Sequence, residues 1–202
     1  YKRYYKRNKF LHEKVIDARQ KKNPKGISPY DDLLKKYAKK INWDWRLLAS
    51  VVYHESEFNP MATSWAGASG LMQLMPLTAK NYGLDSVSIY HPELNVEAGV
   101  KYLAYLSGVF RHIEDPDERL KFVLASYNVG VAHVLDARAL ARKYGVNPDL
   151  WFDHVDVYIR LKSDSLYYND TICKAGYCRG EEPYKYVRDV LDRHDKYVRW
   201  GK

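Results

Sequence analysis

An apolar helical stripe that ends on a carboxylate is the first feature of this chain with chemical consequence. In Asp44-Trp-Arg-Leu-Leu-Ala-Ser-Val-Val-Tyr-His-Glu-Ser-Glu57, helical spacing aligns Leu48, Val51 and Val52, and the next position on that stripe is Glu55. Two influences act against its charge there: low-dielectric neighbours and the negative C-terminal pole of its own helix. Both favour the neutral acid, so its pKa is expected to rise, which is how a carboxylic acid stays ready to protonate a leaving group near neutral pH. On the helix alone, a cap or an ion pair with Arg or Lys is the preferred reading of Glu55. Glu57 is expected to face solvent, and His54, about 100° round the helix from Glu55, is given no role.

The residues after this helix could form a ligand-lining loop. Ala66-Gly-Ala-Ser-Gly70 is a run of small residues that lets backbone approach a ligand closely, and Gln73 carries both a donor and an acceptor for an amide or hydroxyl. A turn-rich loop with Leu and Met tucked beneath it would look the same. Cys173 and Cys178 are the only cysteines. They read as a small disulfide pinning a loop, and hence as a sign of an oxidising, extracytoplasmic compartment, with two reduced thiols as the alternative. No further His or Cys stands near them and the seven histidines show no metal-ligand spacing, so neither metal nor cofactor is expected.

The elements that must position these residues read as helices throughout, and the fold class expected is all-α. Ser28-Pro29 is expected to cap a helix bearing Asp31 and Asp32 near its positive end. Further helices are expected over about 44–57, after Pro76, from about Asn95 through Val96, Val100, Leu103 and Ser107, and from Asp115-Pro116 to a stop at Asn128-Val-Gly130. Others run from Val131 to Gly145, open at Asn147-Pro148, and cover about 183–199. Long connections are expected only over 58–75 and 163–180, the usual lining of a binding groove. At 202 residues and 46% hydrophobic, the chain suits one domain with an appendage, and no apolar run approaches a membrane span. It starts at Tyr1 and reads as a processed protein or a fragment of a longer one. The net charge of +8 is concentrated at the start: residues 1–40 carry +10 and the rest −2. Such a segment can hold nucleic acid or anionic lipid, but a solvated linker or a helix docked on a neighbouring domain suits it better.

Three segments in this order carry a resemblance: His54-Glu-Ser-Glu-Phe-Asn-Pro60, Gly70-Leu-Met-Gln-Leu-Met-Pro76 and Ala125-Ser-Tyr-Asn-Val-Gly130, followed by Glu182-Pro-Tyr-Lys-Tyr-Val187. From about Asp31 to Trp200 the chain resembles the goose-lysozyme-like lytic transglycosylases of bacterial cell walls. The resemblance implies a lysozyme-like helical domain over 28–202, preceded by a junction at 1–27 to a solute-binding-like domain. It also implies cleavage of the MurNAc-β-1,4-GlcNAc bond of peptidoglycan without water, leaving a 1,6-anhydro end. Carried over by position, Glu55 is the acid and base and Ser56 steadies it. Gln73 and the backbone around Met72 contact N-acetyl groups, Tyr127 and Asn128 flank the glutamate, Tyr186 belongs to the late Tyr-Val motif, and Glu182 matches a second, non-nucleophilic glutamate. Ser126 departs from the alanine common at its place, and the 163–180 loop looks like an insertion. A monomer in the periplasm or at the outer membrane, with peptidoglycan strands and no nucleic acid as partner, is expected. The alternatives are a muramidase using Glu182 as base, and a glycan-binding domain without chemistry.

Overall fold

The computed structural model describes residues 26–200. The expected basic junction at 1–27 therefore lies, for residues 1–25, outside the described residues. Nine α-helices follow in order among the described residues: α1 (Asp31–Ala38), α2 (Trp45–Ser56), α3 (Pro76–Asn81), α4 (Pro92–Val109), α5 (Pro116–Val129), α6 (Val131–Lys143), α7 (Asp156–Leu161), α8 (Ser165–Tyr168) and α9 (Glu181–Trp200). No strand occurs among the described residues, only isolated bridges from Ser69 to Thr63 and Leu74, and the all-α expectation holds. No helix among them is long and apolar enough to cross a membrane.

The chain divides into two compact units, one holding the residues up to Lys101 together with those from Asp192 onward, the other Tyr102–Leu191. In the first, Leu34, Leu48, Val51, Val52, Leu71 and Val96 are fully buried. Its entry differs from expectation. Ser28 does not cap α1; the buried Asp31 carboxylate instead accepts from the backbone N–H of Ile27 (3.0 Å) and Ser28 (2.7 Å) and from Ser28 Oγ (2.8 Å). The Ser28 hydroxyl still accepts from the Tyr30 N–H at 3.1 Å, a local turn that competes with helix, and the helix begins at Asp31, two residues later than Pro29. Between α1 and α2 the chain reverses at Asn42 (φ 55°), with the Trp43 N–H donating to Ala38 O at 3.0 Å. Asp44 then caps α2, accepting from the Arg46 N–H at 2.8 Å.

The second unit is built on aromatic packing. Phe122 lies 5.5 Å from Phe110 and edge-on to Trp151 at 5.2 Å. Asp115 caps α5 through the N–H groups of Asp117 and Glu118, and Gly130 (φ 94°) ends it, both as expected. Asn147-Pro148 does not open a helix. Trp151 is wholly buried and its N–H donates to the Glu118 carboxylate at 2.8 Å, which fixes an irregular turn through extended Phe152 and left-handed Asp153 before α7. The 163–180 segment is likewise not a plain loop, since Asp164 caps the short α8 within it. Its far end is held by Asp136. That carboxylate takes bonds from Lys162 Nζ (2.5 Å) and from the N–H of Lys174 (2.9 Å) and Ala175 (2.8 Å), in a site where Lys162 is wholly buried.

The disulfide expected between Cys173 and Cys178 is corrected: both are free thiols. Each sulfur is directed at a different carbonyl, Cys173 Sγ at Tyr167 O (3.4 Å) and Cys178 Sγ at Ile159 O (3.9 Å). Burial pushes both thiols up, that of Cys178 to about 11, so both stay protonated and weakly nucleophilic.

Candidate active site

Glu55 occupies the last turn of α2, half-buried like Tyr53 and His54 before it, after the buried run 47–52. The helix stops one residue later because Glu57 (φ 50°) and Phe58 (φ 63°) are both left-handed, the Glu57 N–H closing on Tyr53 O at 2.8 Å. Glu57 is exposed, as expected. His54 takes no obvious chemical part: its Nε2 accepts from Arg193 Nε at 3.2 Å, and that guanidinium stacks 3.4 Å above the Tyr53 ring.

Ser56 is buried and bridges the helix to the loop that follows. Its hydroxyl lies 2.8 Å from Leu71 O and 3.2 Å from Val52 O, so it ties the residue after Glu55 to the backbone beside Met72. Met72 is itself fully buried, its thioether packed on Gly99 so closely that a Cβ there would meet Sδ at 2.3 Å. Residue 72 is buried backbone included, and its N–H is already held by Asn95 Oδ1 at 2.7 Å. Gln73 (φ 46°) differs from expectation. Its amide nitrogen donates to Ala62 O (3.1 Å) and Gly70 O (2.9 Å), so its donors serve its own loop and its side-chain carbonyl oxygen is what it can offer to a ligand.

The residue that organises this loop is one the sequence marked only as a helix start. Asn95, wholly buried on α4, accepts from the Met72 N–H at 2.7 Å and donates to Ser69 O (3.1 Å) and Ile89 O (2.8 Å). All of its side-chain polar atoms are used. Gly70 (φ 84°) lies against it, and a Cβ there would fall 2.2 Å from Asn95 Nδ2. That combination, left-handed backbone and no space, explains the glycine before Leu71.

The remaining expected residues belong to the second unit. Tyr127, half-buried near the end of α5, has its ring 5.5 Å from that of Tyr102, and Asn128 beside it is exposed. Ser126 is fully buried with no hydrogen-bond partner for its hydroxyl, so the departure from alanine carries a small cost in desolvation. On α9, Tyr186 is buried while Glu182 is exposed and lies 3.4 Å from Arg179. The neighbouring Glu181 is also exposed, paired with Arg160 (3.0 Å) and Lys185 (3.2 Å). The hydrogen bond from Lys185, with the Arg160 guanidinium beside it, holds the Glu181 carboxyl below the usual carboxylate range.

An all-helical fold, a glutamate closing a buried helix and a loop locked behind it by buried polar bonds define a lysozyme-like helical domain. Residues 32–149 match the transglycosylase SLT domain, and the chain belongs to that family. It is 42% identical over 163 residues to a membrane-bound lytic murein transglycosylase F of Desulfosudis oleivorans, covering 81% of this chain and 35% of that protein. With the protein of the same name from Pseudomonas fluorescens it shares 41% over 170 residues, or 84% of this chain and 34% of the other. The chain thus spans about a third of the length of these relatives. Among solved structures it resembles the 70 kDa soluble lytic transglycosylase of Escherichia coli (TM-score 0.53, 25% identity, 85% of this chain and 24% of that one). The lytic transglycosylase Slt of Pseudomonas aeruginosa shares the fold, with TM-score 0.53 at 23% identity over 83% of this chain and 24% of that one.

Proposed function

We propose that this chain is the catalytic domain, over residues 28–202, of a peptidoglycan lytic transglycosylase, with Glu55 as its general acid and base. The observation that carries the reading is the position of Glu55: half-buried at the end of a helix whose residues 47–52 are buried, in a chain 42% identical to a relative named as a lytic murein transglycosylase. On this reading the negative pole at the end of α2 favours the neutral acid.

In this mechanism Glu55 gives its proton to the glycosidic oxygen as the bond between C1 of N-acetylmuramic acid and that oxygen breaks. The substrate's own acetamido carbonyl oxygen bonds to C1 and takes up the positive charge, which places the reaction among the substrate-assisted exceptions to the two-carboxylate scheme. The Glu55 carboxylate then removes the C6 hydroxyl proton, O6 bonds to C1 as the acetamido oxygen leaves, and the acid is regenerated. No water is consumed. Ser56 fixes the end of α2, the Gln73 carbonyl oxygen is assigned to N-acetyl groups, and the backbone around Met72 is assigned to the same contact only by the family resemblance. Tyr127, Asn128, Glu182 and Tyr186 are assigned to the substrate groove on the strength of the family resemblance. The relatives' names support an extracytoplasmic setting, and their greater length supports an upstream domain, for which the solute-binding type is proposed; the catalytic domain is taken as a monomer.

Digestion of purified peptidoglycan in ¹⁸O-labelled water, read by mass spectrometry, tests this. Anhydro ends without label are expected. Label at the new reducing end would replace transglycosylation with muramidase chemistry, and a Glu55→Gln variant as active as the parent would remove Glu55 from the mechanism.

A further inference from the structure

The turn that joins α1 to α2 encloses a cleft of about 450 Å³, lined chiefly by Lys35, Lys39, Trp43, Asp44, Trp45 and Arg46. Its size falls in the range of roughly 300–1,000 Å³ typical of small-ligand sites. The walls are two indoles and three cations against one carboxylate. Asp44 is already committed: it takes Arg46 Nη2 at 2.7 Å and Nε at 3.0 Å, and His194 Nε2 lies 3.6 Å from it. Lys35 Nζ lies 4.9 Å from the Trp45 ring centroid and only 3.5 Å from Asp32, an exposed and weak pair. Lys39 has no ion pair or hydrogen bond from its side chain among the described residues. The cleft therefore presents uncompensated positive charge next to aromatic faces.

The backbone behind it is set before any ligand arrives. Asn42 in the left-handed region, the Trp43 N–H on Ala38 O and the Asp44 cap on Arg46 hold both indoles on a fixed reversal. Preorganisation of this kind lowers the ordering cost of binding. Glu55 is ten residues along α2 from Trp45, so the two ends are about 15 Å apart on one rigid helix.

We propose that this cleft is a second binding site of the chain, distinct from the Glu55 end of α2, for a carboxylate-bearing saccharide: a muramyl unit with its acidic peptide stem. An indole face stacks on the apolar face of a pyranose, and the lysines meet the carboxylates of lactyl and stem groups. The assignment rests on the peptidoglycan reading above. The consequence is selective retention of stem-bearing strands, an effect on affinity rather than on the chemical step.

The probes are N-acetylmuramyl dipeptide, which is anionic, and neutral tri-N-acetylglucosamine, titrated calorimetrically into a Glu55→Gln chain so that nothing is consumed. Adding Lys39→Glu, an exposed position that leaves the fold alone, is expected to weaken the muramyl dipeptide about three- to tenfold, while the neutral trisaccharide is unaffected. Trp45→Ala should weaken the same probe, with a circular dichroism spectrum unchanged from the parent. On stem-bearing peptidoglycan, Lys39→Glu with Glu55 intact should raise KM and leave kcat unchanged. Equal muramyl dipeptide affinity in parent and Lys39→Glu overturns the site, as does inorganic phosphate or a phosphatidylglycerol vesicle displacing the dipeptide from it. A parent chain that digests no peptidoglycan would instead sink the functional reading, so the two failures are separable.

Discussion

Replacing Asn95 with alanine should detach the loop that carries Met72 and Gln73, and the cost can be worked from its bonds. The Met72 N–H, in a buried site, loses its acceptor at 2.7 Å, and an orphaned buried donor costs about 1–3 kcal/mol. The carbonyls of Ser69 and Ile89 lose donors at 3.1 and 2.8 Å, each worth about 0.5–1.5 kcal/mol. The sum is about 2–6 kcal/mol, with the lower end applying where a water enters the vacated space and restores part of the bonding. Against a total stability of roughly 5–15 kcal/mol this is large but survivable. Urea unfolding followed by circular dichroism measures it. Turnover assayed where both proteins are folded should fall as well, because the 70–74 backbone no longer has a fixed position. Gln73→Ala is the comparison: it removes two bonds from a half-buried amide, at about 1–3 kcal/mol. A loss below about 1 kcal/mol for Asn95→Ala, or no greater than for Gln73→Ala, would refute Asn95 as the organiser of the loop.

Other consequences follow from the same geometry. Glu55→Gln should keep the parent's melting temperature and lose activity by roughly 10²–10⁴-fold, the usual worth of general acid catalysis; anhydro-product release shows it. Asp136→Ala strands the wholly buried Lys162 without its partner and should cost about 3–5 kcal/mol, whereas Asp136→Leu with Lys162→Met should recover much of that loss in the same denaturation assay. The Arg46 guanidinium, acting against burial, holds the Asp44 carboxyl down to about 2, whereas in the unfolded chain it titrates near 3.9. Its stabilising share is thus complete above roughly pH 4 and lost as pH falls towards 2, and Asp44→Asn should flatten the stability profile in that acid window. Gly70→Ala must place a methyl 2.2 Å from Asn95 Nδ2 and 2.5 Å from Ile89 O on left-handed backbone, so a marked fall in melting temperature is expected.

Much of the architecture was legible because its signals are local. The Asp115-Pro116 start and the Gly130 stop each act within four residues of themselves, and the structure places them as the spacing predicts. The buried stripe leading to Glu55 is legible for the same reason. Asn95 was not, since an asparagine near a helix start looks like a cap, and its partners stand 23 and 26 residues away in Met72 and Ser69. Gln73 misled in the opposite direction: its type suggests contacts with a ligand, but two carbonyls of its own loop capture its donors. The pair Cys173 and Cys178 shows the limit of spacing alone. Four residues of separation allow a bridge, but Asp136 sets the path of the chain at Lys174 and Ala175 between them, and each sulfur meets a different carbonyl.

The way α2 ends links the backbone to the chemistry. In a helix that continued, residues 58 and 59 would stand beside residue 55 on the same face and cover its side chain. Left-handed Glu57 and Phe58 turn the chain away at that point, and Phe58 is instead buried edge-on against Tyr53, with ring centroids 5.9 Å apart. Non-glycine residues in that region cost about 1–2 kcal/mol each, and such strain persists where surrounding structure over-determines it. The Ser56 bond to Leu71 O and the Phe58 packing supply that surrounding structure. Three of the five left-handed non-glycine residues among those described, Glu57, Phe58 and Gln73, fall within this one stretch around the 58–75 loop. Strain concentrated there turns the chain away before residues 58 and 59 could stack over Glu55, which stays half-buried at the helix end.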